Sequence, residues 1–267
     1  LDKLDFKLFI AKLYPAEILF LVRPNGIQEE DFIRYTLADL ILKKILSINV
    51  ETRKPHPKDP IKKTYIEIGR GPNFNFYKPQ IFEEVFLTQI SEGKVMFLNN
   101  YLRIISVEIP LLKTLKKQII SEDLSQLLNQ SVLSKVSGIY KLNEYGLALK
   151  TAIINLMEDS CLRIPRLYNQ PDDLFELIEY LGGNIFFVKT VDQHVWNSIC
   201  SSIAKRTKDN KLNLNNQNLM FLDESYYQPE IFRLISIFFF NMDKFFLSDD
   251  EFRNENIDMD WSWVLDF

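Results

Sequence analysis

Residues 31–68 read DFIRYTLADLILKKILSINVETRKPHPKDPIKKTYIEI, and this stretch decides the fold. Ile33, Leu37, Leu40, Ile41, Ile45 and Ile48 recur at spacings of three and four, which lays one apolar face along an α-helix. Glu29, Glu30 and Asp31 stand at its start, where negative charge meets the positive end of the helix dipole. The spacing predicts a helix over 31–47. The period then drops to that of a strand. Ile48, Val50 and Thr52 alternate with polar neighbours, KPHPKDP at 54–60 breaks the ladder because proline donates no backbone hydrogen bond, and Thr64, Ile66 and Ile68 resume the alternation.

A helix followed by a basic hairpin is the layout of a winged helix. Such units bind nucleic acid, proteins and lipid surfaces alike, so the layout by itself fixes no function. The segment carries Lys43, Lys44, Arg53, Lys54, Lys58, Lys62, Lys63 and Arg70 against Glu51, Asp59 and Glu67. Arg53, Lys54, Lys58, Lys62, Lys63 and Arg70 are therefore the candidate ligand-binding residues, with phosphates of nucleic acid or anionic lipid as their partners. The same lysines also keep an exposed hairpin edge from pairing with other chains.

Working outward, the 267 residues suffice for a large core. With 21 Phe and 11 Tyr against 8 Gly, the composition favours helices with bulky interiors. A net charge of −4 argues against a dedicated nucleic-acid binder, which needs a wide positive face. Two cysteines, Cys161 and Cys200, make no disulfide framework and point to a reducing, cytoplasmic setting. The most apolar run, IFRLISIFFFNMDKFFL at 231–247, is interrupted by Arg233, Asn241, Asp243 and Lys244, so it reads as a buried amphipathic helix and not as a membrane span. The first residues, LDKLDFKLFI, lack the pattern of a signal peptide.

The remaining pattern predicts helix over 6–22 with a break at Pro15, and a loop at 69–79 (GRGPNFNFYKP) that is a candidate boundary. A helix is expected from Pro79 to near Gly93, then short strands at 95–98 and 102–109 around Asn99-Asn100. Helices are expected over 110–120, from Ser121 to near Gly138, and over 143–158 with Leu147, Leu149, Ile153, Ile154 and Met157 as the apolar set. RIPRLYNQPDD at 163–173 reads as a linker, 172–181 as a helix closed by Gly182-Gly183, NIFFVK as a buried strand, 192–205 as a helix and 206–217 as a polar loop. FYKPQIF at 76–82 and YYQPEIF at 226–232 repeat one pattern of aromatics before a helix-opening proline. This divides the chain into a helical domain at 1–160, a second helical lobe at 161–247 and an acidic-aromatic tail at 248–267.

In that tail, MDWSWVLDF sets Trp261, Trp263 and Phe267 among Asp258, Asp260 and Asp266, a composition suited to docking in a protein partner's groove or to self-association. Catalytic chemistry finds little support. His56 lies in the proline-rich loop, His194 sits near a helix start, and no nucleophile elbow, zinc helix or P-loop is present. No catalytic residue, metal ligand or cofactor is assigned.

The phrase YTLADLILKKILSI with its basic hairpin resembles the helix–hairpin unit of Golgi-phosphoprotein-like domains and of certain uncharacterised bacterial proteins, through Leu37, Ala38, Leu40, Leu42 and Ile45. Ser47 stands where that family carries glycine. The resemblance implies a helical domain whose basic surface meets phosphoinositide-bearing membranes, and no binding residue is transferred from it. The expectation is thus a predominantly helical α+β protein with a winged-helix-like N-terminal unit and a second helical lobe. It would act as a non-catalytic interaction or scaffold protein, with binding of nucleic acid or anionic lipid through the basic wing as the alternative.

Overall fold

The structure, a computed structural model, describes residues 10, 13–24, 26–58, 60–109, 133–136, 139–167, 170–188, 195, 197–198, 201, 233–239 and 242. Helix α1 (Pro15–Val22) opens on the proline that the sequence marks as a break, because a first-turn residue has no hydrogen bond to lose. The Tyr14 N–H donates to Glu17 Oε2 at 2.8 Å and closes the helix start. Helix α2 (Glu29–Leu42) follows with three acids in its first turn. It is not amphipathic in place. Every residue from Phe32 to Leu42 is buried, including Arg34, Thr36 and Asp39.

The helix predicted over 31–47 stops at Leu42. Lys44 N–H donates to Ile41 O and Ile45 N–H to Leu40 O, both at 2.9 Å, the paired bonds of a Schellman end. Lys44 takes φ +53°, a left-handed conformation usually given to glycine. A lysine in that role leaves no stop signal in the sequence. Ile45 and Ile48 therefore leave the helix stripe, Ile45 sealing the turn and Ile48 entering a strand.

The hairpin forms as expected. Strands β1 (Leu46–Arg53) and β2 (Lys63–Arg70) pair antiparallel from Leu46↔Arg70 to Arg53↔Lys63. The loop that follows is tied back to the end of α2: Gly71 N–H donates to Ile45 O at 2.8 Å, Asn73 N–H to Lys44 O at 3.1 Å, and Asn73 Nδ2 to Lys43 O at 2.9 Å. Helix α3 (Ile81–Thr88) and strand β3 (Met96–Phe97) come next, with β3 pairing on the other side of β2 at Glu67 and Ile68.

Three predicted elements change type. Residues 102–109 belong to helix α4 (Leu98–Glu108), whose buried Leu98, Tyr101, Leu102, Ile105 and the following Ile109 keep helical period while Val107 is 76% exposed. Its isoleucines suggest a strand, but the burial pattern follows packing. Residues 133–142 are not the end of a helix; they form the antiparallel pair β4 (Leu133–Val136) and β5 (Ile139–Leu142). Residues 182–187 turn as a 3-10 helix, with Asn184 through Val188 buried. Short apolar runs do not declare their period, and this one finds no strand to pair with among the described residues.

Helix α5 (Glu144–Arg163) starts at Asn143, whose Oδ1 accepts from Gly146 N at 2.8 Å. It buries Leu149, Ile153 and Met157 as expected, leaves Leu147 exposed, and runs past the predicted end into what reads as a linker. Helix α6 (Pro171–Leu181) ends at Gly182 with φ +52°, the glycine stop the sequence announces. Residues 233–239 and 242 are helical and bury Ile235, Phe238, Phe239 and Met242, as the amphipathic reading of that run requires. The fold is a predominantly helical α+β structure with a three-stranded antiparallel sheet and a separate strand pair. Tyr35 of α2 stacks on Phe187 at 4.3 Å and meets Phe239 edge-on at 6.2 Å, so α2 is packed from several sides. The predicted helices over 110–120 and 121–132, the loop at 206–217 and the second aromatic-proline motif at 226–232 lie outside the described residues.

Candidate functional site

Beyond Val50 on one strand and Tyr65 on the other, the hairpin leaves the body: residues 51–58 and 60–64 are all exposed. Register holds to the last pair, Arg53↔Lys63, and one pair before it Thr52 Oγ1 and Thr64 Oγ1 lie 3.3 Å apart. The Lys58 N–H donates to His56 Nδ1 at 3.3 Å in the connecting turn. Lys54, Lys58, Lys62 and Lys63 are exposed and make no ion pair with another described residue. Ile61 beside them is 69% exposed.

The other two predicted wing residues sit differently. Arg53 pairs with Glu51 at 3.0 Å and Glu67 at 3.7 Å and lies 4.9 Å over the Tyr65 ring, so it is held against the hairpin. Arg70 is at the base, where its Nε donates to Ile90 O at 3.0 Å and its guanidinium covers Phe74 at 4.3 Å. The structure thus brings Arg53, Lys54, Lys58, Lys62 and Lys63 to one finger and places Arg70 apart. Lys43, counted with the basic segment in the sequence, is buried in the body. Trp261, Trp263 and Phe267 of the tail, together with His194 and Cys200, lie outside the described residues.

Beside the finger lies a groove of about 280 Å³, between Thr64–Ile66 of β2 and Phe97–Asn100 at the start of α4. The Tyr65 and Phe97 rings stand 5.8 Å apart at its side, and Phe97 is 42% exposed.

A second constellation, unsuspected from the sequence, is buried between α1, α2 and α3. Lys43 Nζ donates to Asp39 Oδ2, one turn earlier on α2, and lies 4.3 Å over the Tyr14 ring and 6.0 Å from that of Tyr77. Tyr77 Oη donates to Glu83 Oε2 at 2.7 Å, and the Gln80 N–H donates to the same oxygen at 2.8 Å. Gln80 Nε2 donates to Tyr14 Oη at 3.2 Å and closes the ring of contacts. Asp39 Oδ1 and Glu83 Oε1 have no hydrogen-bond partner among the described residues. Two signals in the sequence mark this cluster: a Glu three residues after Gln80, as in a capping box, and an Asp-to-Lys spacing of four inside an apolar helix.

The cluster holds two carboxylates against one lysine. Burial lifts both Asp39 and Glu83 above the usual carboxylate range, and Lys43 offsets part of this. Burial pulls the Lys43 ammonium down, but Asp39, Glu83 and Tyr14 together outweigh it and hold it above the usual lysine value. Burial also raises the Tyr14 and Tyr77 hydroxyls, Tyr77 further through Glu83, so both hydroxyls stay protonated. A carboxylate raised in the native state binds its proton more tightly folded than unfolded, so its contribution to stability falls as pH rises from the unfolded value of about 4 towards the raised one. Lys43 has the same sign in a higher window: its contribution is whole below the unfolded lysine value of about 10.4 and is lost as pH rises above it. Glu83→Gln mimics the protonated acid. The slope of unfolding free energy against pH between about 4 and 7 becomes shallower in the variant, measured by urea unfolding across that range. An unchanged slope would mean that Glu83 holds no extra proton.

Among the described residues no group of three or more His, Cys, Asp or Glu side chains is placed to hold a metal ion, and no helix is long and apolar enough to cross a membrane. No family model, characterised protein or solved structure matches the chain.

Proposed function

We propose that the protein is a non-catalytic interaction module that engages an anionic partner through its basic hairpin. One observation carries this reading: Lys54, Lys58, Lys62 and Lys63 stand together on a finger exposed from residue 51 to 58 and from 60 to 64. The geometry suits contact at a tip. A finger holds positive charge away from the rest of a chain whose overall net charge is −4 and which would otherwise repel a polyanion. The exposed Lys positions make no ion pair with another described residue, which suits them to meet an anionic partner.

The test compares the protein with a variant carrying Lys54→Glu, Lys58→Glu, Lys62→Glu and Lys63→Glu, against poly-glutamate, duplex DNA and phosphatidylserine vesicles. Binding to at least one of these is expected to weaken about tenfold or more between 50 and 200 mM salt and to vanish in the variant. The variant's urea unfolding stays within about 0.5 kcal/mol of the parent, because all four side chains are on the surface. Absence of salt-sensitive binding to any of the three polyanions overturns the proposal.

A further inference from the structure

We infer that the partner of the basic finger is an extended acidic segment of another protein, which binds by adding as a strand alongside β2 with one bulky apolar side chain in the neighbouring groove. This rests on the reading of the hairpin as the contact surface and names the chemistry it accepts. Strand β3 pairs only with Glu67 and Ile68, so β2 has β1 on one side over Lys63–Ile66 and no strand on the other among the described residues. In an antiparallel strand, alternate residues aim their N–H and C=O groups to opposite edges. About half of this stretch therefore presents backbone donors and acceptors to the side away from β1, where no described strand pairs and a groove separates Thr64–Ile66 from the start of α4. These groups are spaced for a strand and not for a phosphate chain.

The groove opens on that same edge. Tyr65, Ile66, Phe97 and Leu98 give it apolar surface, and its volume of about 280 Å³ is the size for one large side chain. Lys62 and Lys63 stand exposed at the start of β2, where an incoming acidic segment would pass them. The start of α4 adds to the complementarity: Phe97 supplies no side-chain cap and the first turn holds no acid, so the positive end of the helix dipole is uncompensated there. Strand addition draws affinity from the main chain and selectivity from a side-chain pocket, and this edge offers both within four residues. A bilayer or a duplex would meet the lysines but could use neither the backbone edge nor the groove.

The experiment uses the full chain and a labelled ten-residue peptide alternating Asp with Val, with one central Trp. A second peptide has the same sequence with N-methyl groups on alternate residues, which removes ladder donors and keeps the charge. Fluorescence polarisation is expected to show the methylated peptide bound at least about tenfold more weakly, as loss of about two net hydrogen bonds implies. Phe97→Ala, and separately Lys62→Glu with Lys63→Glu, each weaken the parent peptide by about tenfold, and exchange of the amides of residues 63–66 slows when it binds. Equal binding of the two peptides overturns strand addition and leaves a purely electrostatic finger. Binding of DNA or phosphatidylserine vesicles with no peptide binding up to about 1 mM also overturns it and leaves the basic-finger reading standing. Failure of every polyanion removes both.

Discussion

Replacing Lys43 by methionine is expected to lower unfolding free energy at pH 7 by about 3 to 5 kcal/mol, the cost of breaking a buried pair from one side. Lys43 is only 8% exposed, bonds to Asp39 and lies over Tyr14, so no water can take over its role when the ammonium is gone. The methionine fills most of the space, which leaves the charge on Asp39 as the main loss. Asp39→Asn in the same background removes that charge. The double variant recovers most of the deficit, and a double-mutant cycle from urea unfolding gives the coupling directly. If Lys43→Met alone stays within about 1 kcal/mol of the parent, the cluster is not a charged pair in the folded protein.

Gly71→Ala is expected to cost about 3 kcal/mol or more, at the upper end of overpacking effects. A Cβ at this position would lie 2.1 Å from Lys44 O and 2.6 Å from Lys44 C, both backbone atoms of the left-handed turn that ends α2. Neither the turn nor the loop can give way cheaply, because Gly71 N–H, Asn73 N–H and Asn73 Nδ2 bind three successive carbonyls there. The effect is read as a drop in denaturant midpoint with unchanged m-value. Gly26→Ala is the control, since its Cβ would meet nothing within 4 Å. A Gly71→Ala variant as stable as Gly26→Ala would mean that this junction is looser than its bonds suggest.

The two substitutions bear on one junction. The end of α2 sends Lys43 inward to Asp39, turns at Lys44, and starts the strand that carries the finger outward. Loss of the buried pair or of the tie at residues 71–73 is therefore expected to loosen the base from which the basic hairpin projects. The finger's own lysines are exposed and apart from this junction, so their reversal is expected to change polyanion binding and leave stability alone.

The helix–hairpin unit was legible because its period switches from helical to strand spacing across Ile48 and because the prolines at 55, 57 and 60 interrupt the strands at one place. The exposed lysines of the finger were legible for the same reason. Local signals also gave the break at Pro15, where α1 begins, and the glycine stop of α6. Elsewhere local preference and final structure part. Residues 102–109 are rich in β-branched side chains and fold as helix, since only the helical period brings Leu102, Ile105 and Ile109 to one buried face. Residues 184–188 carry an apolar run that the body buries without pairing it into a sheet.

By itself, then, the order of residues determined where the chain changes period, where charge collects on the hairpin, and where prolines and glycines punctuate it, because each of these is set by neighbours a few positions apart. Only the tertiary structure decided that Lys43 leaves the basic segment for the interior, that Tyr14, Asp39, Tyr77 and Glu83 meet around it, and that Arg70 serves the base of the hairpin. It also decided that β3 covers two residues of β2 and leaves a groove beside the rest. Apart from the Asp39-to-Lys43 spacing and the Gln80–Glu83 box, these contacts join side chains from separate elements, and burial and pairing between such elements have no signature in a local pattern.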